Sequence, residues 1–86
     1  MSRYTYQHLV ELVDGDHELI ARLVEEGVIE YEDDGVVPVD PDMVVLARTL
    51  WRELDVDWNG IPIIIRLTAQ LAAARRRIAE LERKRG

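Results

Sequence analysis

Apolar positions in the first third of the chain repeat with a helical period. Tyr6, Leu9, Val10 and Val13 fall at i, i+3, i+4 and i+7, which sets them on one helical face, and Thr5 stands ready as the N-cap. Asp14-Gly15-Asp16 reads as a turn. Asp16 then caps a second helix whose Leu19, Ile20, Leu23 and Val24 form the buried stripe before Gly27 ends it. Helix, tight Gly turn and helix make the helix-turn-helix plan.

The period then shortens. Val28 to Tyr31 and Val36 to Val39 are β-prone runs on either side of Glu32-Asp33-Asp34-Gly35, whose Asp-Gly favours a tight turn, so a small β-hairpin wing is expected. Asp40-Pro41 is an N-cap and N1 pair opening a third helix, with Met43, Ala47, Leu50 and Leu54 at helical spacing and an end near Asp55. Asp57-Trp58-Asn59-Gly60-Ile61-Pro62 looks like a breaker, yet a proline in a first turn forfeits no hydrogen bond. A helix from near Asp57 to Asn59 through Arg85 follows, about 26 residues and roughly 39 Å long. So small a body cannot bury it along its length.

Along that helix Ile64, Leu67, Leu71, Ala74, Ile78 and Leu81 alternate spacings of three and four, the seam of a coiled coil. Ile61, Ile65 and Ala72 lie on a neighbouring face that suits packing on the body. Left uncovered, the seam is an apolar patch of the kind that marks association, so a homodimer through the long helices is expected. The expected division is residues 1–56 for the helix-turn-helix, wing and third helix, and 57–86 for the long helix, within one domain.

Composition narrows the function classes. An 86-residue chain folded alone buries about 60% of the surface its unfolded form exposes, so added stability from a partner is expected. There is no Cys, hence no disulfide framework or thiolate metal site, and with no apolar leader the cytoplasm is the expected compartment. No apolar run approaches the roughly 20 residues of a membrane span. His8 and His17 are the only histidines, and no convergent ligand set or positioned nucleophile accompanies them. No catalytic residue, metal or cofactor is expected, and the chain is read as a non-enzyme.

The net charge of −6 is unevenly spread. Residues 1–74 hold 15 acids and 5 bases (−10), whereas residues 75–86 hold 2 acids and 6 bases (+4). Such a body steers cationic partners toward itself. The second helix, where a helix-turn-helix would meet the major groove, has Asp16, Glu18, Glu25 and Glu26 against Arg22 alone. The phosphate-neutralising platform for base contacts is missing, so nucleic acid is an unfavoured partner. Glu25, Glu26, Glu30, Glu32, Asp33 and Asp34 form an acidic patch with two readings, an ordinary solvated surface or a dock for a basic protein face. Trp51 and Trp58 read as core more readily than as interface anchors, with Trp58 between the third helix and the base of the long one. Arg75, Arg76, Arg77, Arg83, Lys84 and Arg85 suit the dipole at a helix end and flank the seam.

Taken together, the helix-turn-helix, short wing, third helix and long C-terminal helix resemble the reduced MerR-like modules. The run Arg52-Glu53-Leu54-Asp55-Val56-Asp57-Trp58-Asn59-Gly60-Ile61, followed by a Leu-rich helix, looks like the chaperone modulatory proteins of the CbpM type. Asn59, where a proline is expected, and Pro62 depart from that pattern. The resemblance implies a mainly α fold: a MerR-like winged helix-turn-helix with a small β-hairpin wing and a long C-terminal coiled-coil helix. It further implies binding to the J-domain of a DnaJ-type co-chaperone, which limits that protein's action with Hsp70, and antiparallel pairing of the long helices. The alternative is a dimeric MerR-like transcription regulator that binds DNA.

Overall fold

In the computed structural model, which describes residues 2–85, the chain is mainly helical and ends in a long helix. Strand β1 (Ser2–Thr5) leads into helix α1 (Tyr6–Leu12), and α2 (His17–Glu25) follows the Asp14-Gly15 turn. Strand β2 (Val36–Val39) precedes α3 (Pro41–Arg48), which widens into a π-helical turn over Thr49–Glu53, and α4 spans Ile61–Arg85.

Local chemistry sets most of these boundaries. Thr5 ends β1 and caps α1, its hydroxyl accepting from the His8 N–H at 3.2 Å. At the far end Asp14 adopts φ 56° while the Gly15 N–H reaches back to the Val10 carbonyl at 2.8 Å. Asp16 caps α2 by accepting from the Leu19 N–H at 3.2 Å. That helix closes as a Schellman motif at Gly27 (φ 75°), with Gly27 N–H to Val24 and Val28 N–H to Leu23. Asp40 caps α3 through the Asp42 N–H at 2.9 Å, with Pro41 in the first turn.

The expected hairpin does not form. Val28 to Tyr31 are not a strand: the N–H groups of Val28 and Ile29 are taken by the Leu23 carbonyl at the end of α2, and Ile29 turns into the core. Two of the segment's four donors thus finish a helix and are not available to a ladder. β2 pairs instead with the N-terminal β1, antiparallel, with Ser2 opposite Val39 and Thr5 opposite Val36. The acidic turn survives as a loop closed by the Gly35 N–H on the Glu32 carbonyl.

Among the described residues thirteen apolar side chains make the core, with Leu9, Val13, Leu19, Ile20, Leu23, Val44 and Ile61 at most 1% exposed. Burying one such side chain is worth about 1.5–3 kcal/mol. The stripes read for α1 and α2 point inward, except that Tyr6 and Val24 are only half-buried. On α3 the buried face is Val44, Ala47 and Leu50, with Met43 half-buried, whereas Leu54 is 63% exposed. The π turn accounts for the difference: Leu54 N–H bonds the Thr49 carbonyl five residues back, so the extra residue rotates Leu54 away from the stripe. Asp55 at φ 56° then reverses the chain, and the Val56 N–H reaches the Leu50 carbonyl at 2.8 Å.

α4 starts slightly later than expected. The Asp57 carboxylate accepts from the Asn59 N–H at 2.7 Å and its carbonyl from the N–H groups of Gly60 and Ile61, holding 57–60 as a turn before the helix. Pro62 sits in the first helical turn, where its missing donor costs nothing. At 25 residues the helix is about 38 Å long, but only Ile61 and Ile65 along it are buried. Every residue from Arg66 to Arg85 is exposed, and the molecule extends 47 × 32 × 21 Å.

Candidate functional site

Three surface features concentrate chemistry or uncovered apolar area: the acidic end of α2 with its loop, the free length of α4, and a cleft at the foot of α4. Glu25 and Glu26 lie at the end of α2, and Glu30, Glu32, Asp33 and Asp34 in the loop to β2; all six are exposed. They are not one uniform surface. Arg3 of β1 donates to Glu32 at 2.9 Å and to Asp34 at 3.3 Å, and Arg22 pairs with Glu26 at 3.1 Å. The carboxylates hold the Arg3 guanidinium above its ordinary range, chiefly through the Glu32 hydrogen bond. Glu32, Asp33 and Asp34 line one open hollow, while Glu26 belongs to a separate cleft with Val28, Pro62 and Ile65. The body's β-strand pairing thus brings a base to an acidic loop that the sequence places 29 residues away.

On α4 the seam lies open. Leu67, Leu71, Ile78 and Leu81 are each 50–57% exposed, Ala74 is exposed, and only Ile64 packs partly against the body. The six residues share a face because their spacing matches the helical period, so the structure keeps them together as one stripe. Arg75, Arg76, Arg77, Arg83, Lys84 and Arg85 are all solvent-facing around it.

A further cluster had no sequence signal. Arg52, in the π turn, donates Nε to Asp16 Oδ2 at 2.9 Å and a terminal nitrogen to Oδ1 at 3.0 Å, and lies 3.5 Å from Glu18. Its guanidinium carbon sits 3.7 Å from the Trp51 ring centre. Trp51 meets Trp58 edge-on, with centroids 5.2 Å apart at 71°, and Arg22 lies 5.5 Å over Trp58. Both tryptophans are half-buried and pack against the core. This ladder of cation, ring, ring and cation ties α2 to the π turn and the segment before α4. The Arg52 hydrogen bonds, first among the causes, hold the Asp16 carboxyl below the usual carboxylate range. Asp16 and Arg52 are 36 positions apart, so periodicity alone does not pair them.

Among the described residues no group of three or more His, Asp or Glu is placed to hold a metal ion. No helix among them is long and apolar enough to cross a membrane. No family model matches this chain, and no curated protein or solved structure matches it significantly.

Proposed function

We propose that the protein is a non-enzymatic, protein-binding modulator, built on a MerR-like helix-turn-helix, that binds the J-domain of a DnaJ-type co-chaperone and limits its action with Hsp70. The sequence resemblance supplies the partner. The observation that carries a protein-binding role is the half-exposed aliphatic stripe of Leu67, Leu71, Ile78 and Leu81 on a helix that leaves the body. Stripes of this kind are covered by a second protein surface in a working assembly. In this reading the stripe takes a second copy, giving an antiparallel homodimer, and the acidic body meets the basic J-domain face.

Charge on α2 argues against the DNA-binding alternative. Its one base among residues 16–26, Arg22, is engaged by Glu26 and lies over Trp58, and its acids include Glu18 and Glu25 on the exposed side. A duplex approaching that helix meets carboxylates, with no guanidinium free to neutralise phosphate.

Calorimetric titration of an isolated J-domain with the protein, at low and moderate salt, tests the proposal. Saturable binding that weakens with salt is the expected result. Absence of binding at low salt, together with measurable affinity for random duplex DNA, would transfer the assignment to a DNA-binding regulator.

A further inference from the structure

The foot of α4 carries an apolar cleft that the seam does not use. It is about 490 Å³ in volume and opens between α3 and α4, walled by Val28, Met43, Leu46, Ile65, Ala69 and Ala72. A second hollow of about 250 Å³ continues it past Gly27 and Pro62 and shares Val28, Ile65 and Arg66 with the first. On the α4 wall Ala69 and Ala72 are small, so a helix laid over them approaches the backbone closely, with Ile65 and Arg66 beside them. Acids line both hollows, Asp40 and Asp42 the first and Glu26 the second, and Arg66 is common to the two.

Helical geometry separates this trough from the dimer stripe. With about 100° between successive residues, the mean direction of Ile65, Ala69 and Ala72 lies roughly 160° around α4 from that of the seam residues Ile64 to Leu81. A second α4 running along the seam therefore lies on the opposite side of the helix and leaves the cleft open. For a symmetric pair to fill both clefts with each other's seams, each helix would have to face its partner with two opposite sides at once.

We propose that this cleft is the docking site for a cationic amphipathic helix of a different protein, its apolar side between α3 and α4 and its bases toward Asp40, Asp42 and Glu26. An apolar trough with a carboxylate rim selects an occupant that is apolar along one stripe and positive beside it, the helix-in-groove mode of recognition. The −10 balance of residues 1–74 draws such a helix in from a distance. α4 is then a two-sided element, with a copy of this chain on one face and the partner on the other. The cleft is assigned whichever protein supplies the helix, while the proposed function makes that protein a J-domain.

The probe is a fluorescein-labelled model helix of Leu and Lys, with Leu at i, i+3, i+4 and i+7, followed by anisotropy as the full-length protein is added. Saturable binding that weakens with salt is expected. Ala69→Arg places a bulky cation inside the cleft and should weaken binding at least about tenfold, whereas Gln70→Arg, the same charge one position away on the seam side, should change it about twofold or less. Both positions are exposed, so neither variant disturbs the core, and circular dichroism checks this. Equal binding by wild type and Ala69→Arg overturns the proposal, as does binding that Leu71→Glu abolishes and Ala69→Arg leaves intact, since the probe then sits on the seam. The same variants titrated with a J-domain separate the two readings. A J-domain that fails to bind while the Leu-Lys helix binds in an Ala69-dependent way removes the proposed partner and leaves the cleft assignment standing.

Discussion

Replacing Asp16 tests whether the Arg52 cluster holds the two halves of the body together. The side chain has two tasks: it caps α2 through the Leu19 N–H, and it receives Arg52 in a bidentate pair. Loss of the cap in Asp16→Ala costs about 1 kcal/mol. The Arg52 side chain is 38% exposed, so solvent screening limits the pair to about 0.5–1 kcal/mol. Asp16→Ala should therefore destabilise by about 1.5–2 kcal/mol, and Asp16→Asn, which keeps a capping oxygen and loses the charge, by about 0.5–1 kcal/mol. Urea unfolding at one fixed protein concentration, followed by tryptophan emission, reads both, since Trp51 and Trp58 sit beside the pair. A double-mutant cycle with Arg52→Met isolates the coupling. A value below about 0.3 kcal/mol, within the scatter of independent sites, would refute the reasoning. The pH dependence has a fixed sign. Because the folded-state pKa of Asp16 is depressed, its contribution is fully present above the unfolded carboxyl pKa of about 3.9 and is lost as pH falls through the lower folded value. The gap between wild type and Asp16→Asn should accordingly narrow below about pH 4.

Other perturbations probe the remaining elements. Leu71→Glu puts a charge at the middle of the open stripe and should give a monomer by analytical ultracentrifugation at concentrations where the wild type is a dimer, with helix content of the body unchanged; a wild-type monomer at high micromolar concentration removes the dimer. Trp58→Ala should cost about 3 kcal/mol through lost packing, whereas Trp58→Phe, which keeps a ring against Trp51, should cost less than about 1.5 kcal/mol. Asp55→Gly should stabilise by about 0.5–1 kcal/mol, since φ 56° is a left-handed conformation that glycine adopts without penalty; a loss of stability in thermal unfolding would show that the side chain has an unrecognised role.

Much of the fold is legible along the chain because it is decided within a few residues. Thr5, Asp16 and Asp40 cap helices where their side chains reach N–H groups two or three positions on, and Gly27 ends α2 because its left-handed φ completes the last turn. Helical spacing likewise fixes the seam from Ile64 to Leu81 as one stripe, whatever eventually covers it. Tertiary structure decides the rest, where equally β-prone or charged segments compete for partners distant in sequence. Val28 and Ile29 have strand-forming side chains, but the end of α2 claims their donors and the core claims Ile29, so β2 pairs with β1 instead. The six carboxylates read as one patch are divided once that pairing brings Arg3 to Glu32 and Asp34. Asp16 and Arg52 meet, and the cleft opens between α3 and α4, only because packing sets the angle between helices. Pattern along one helix carries no information about that angle, which depends on how the side chains of two elements interlock.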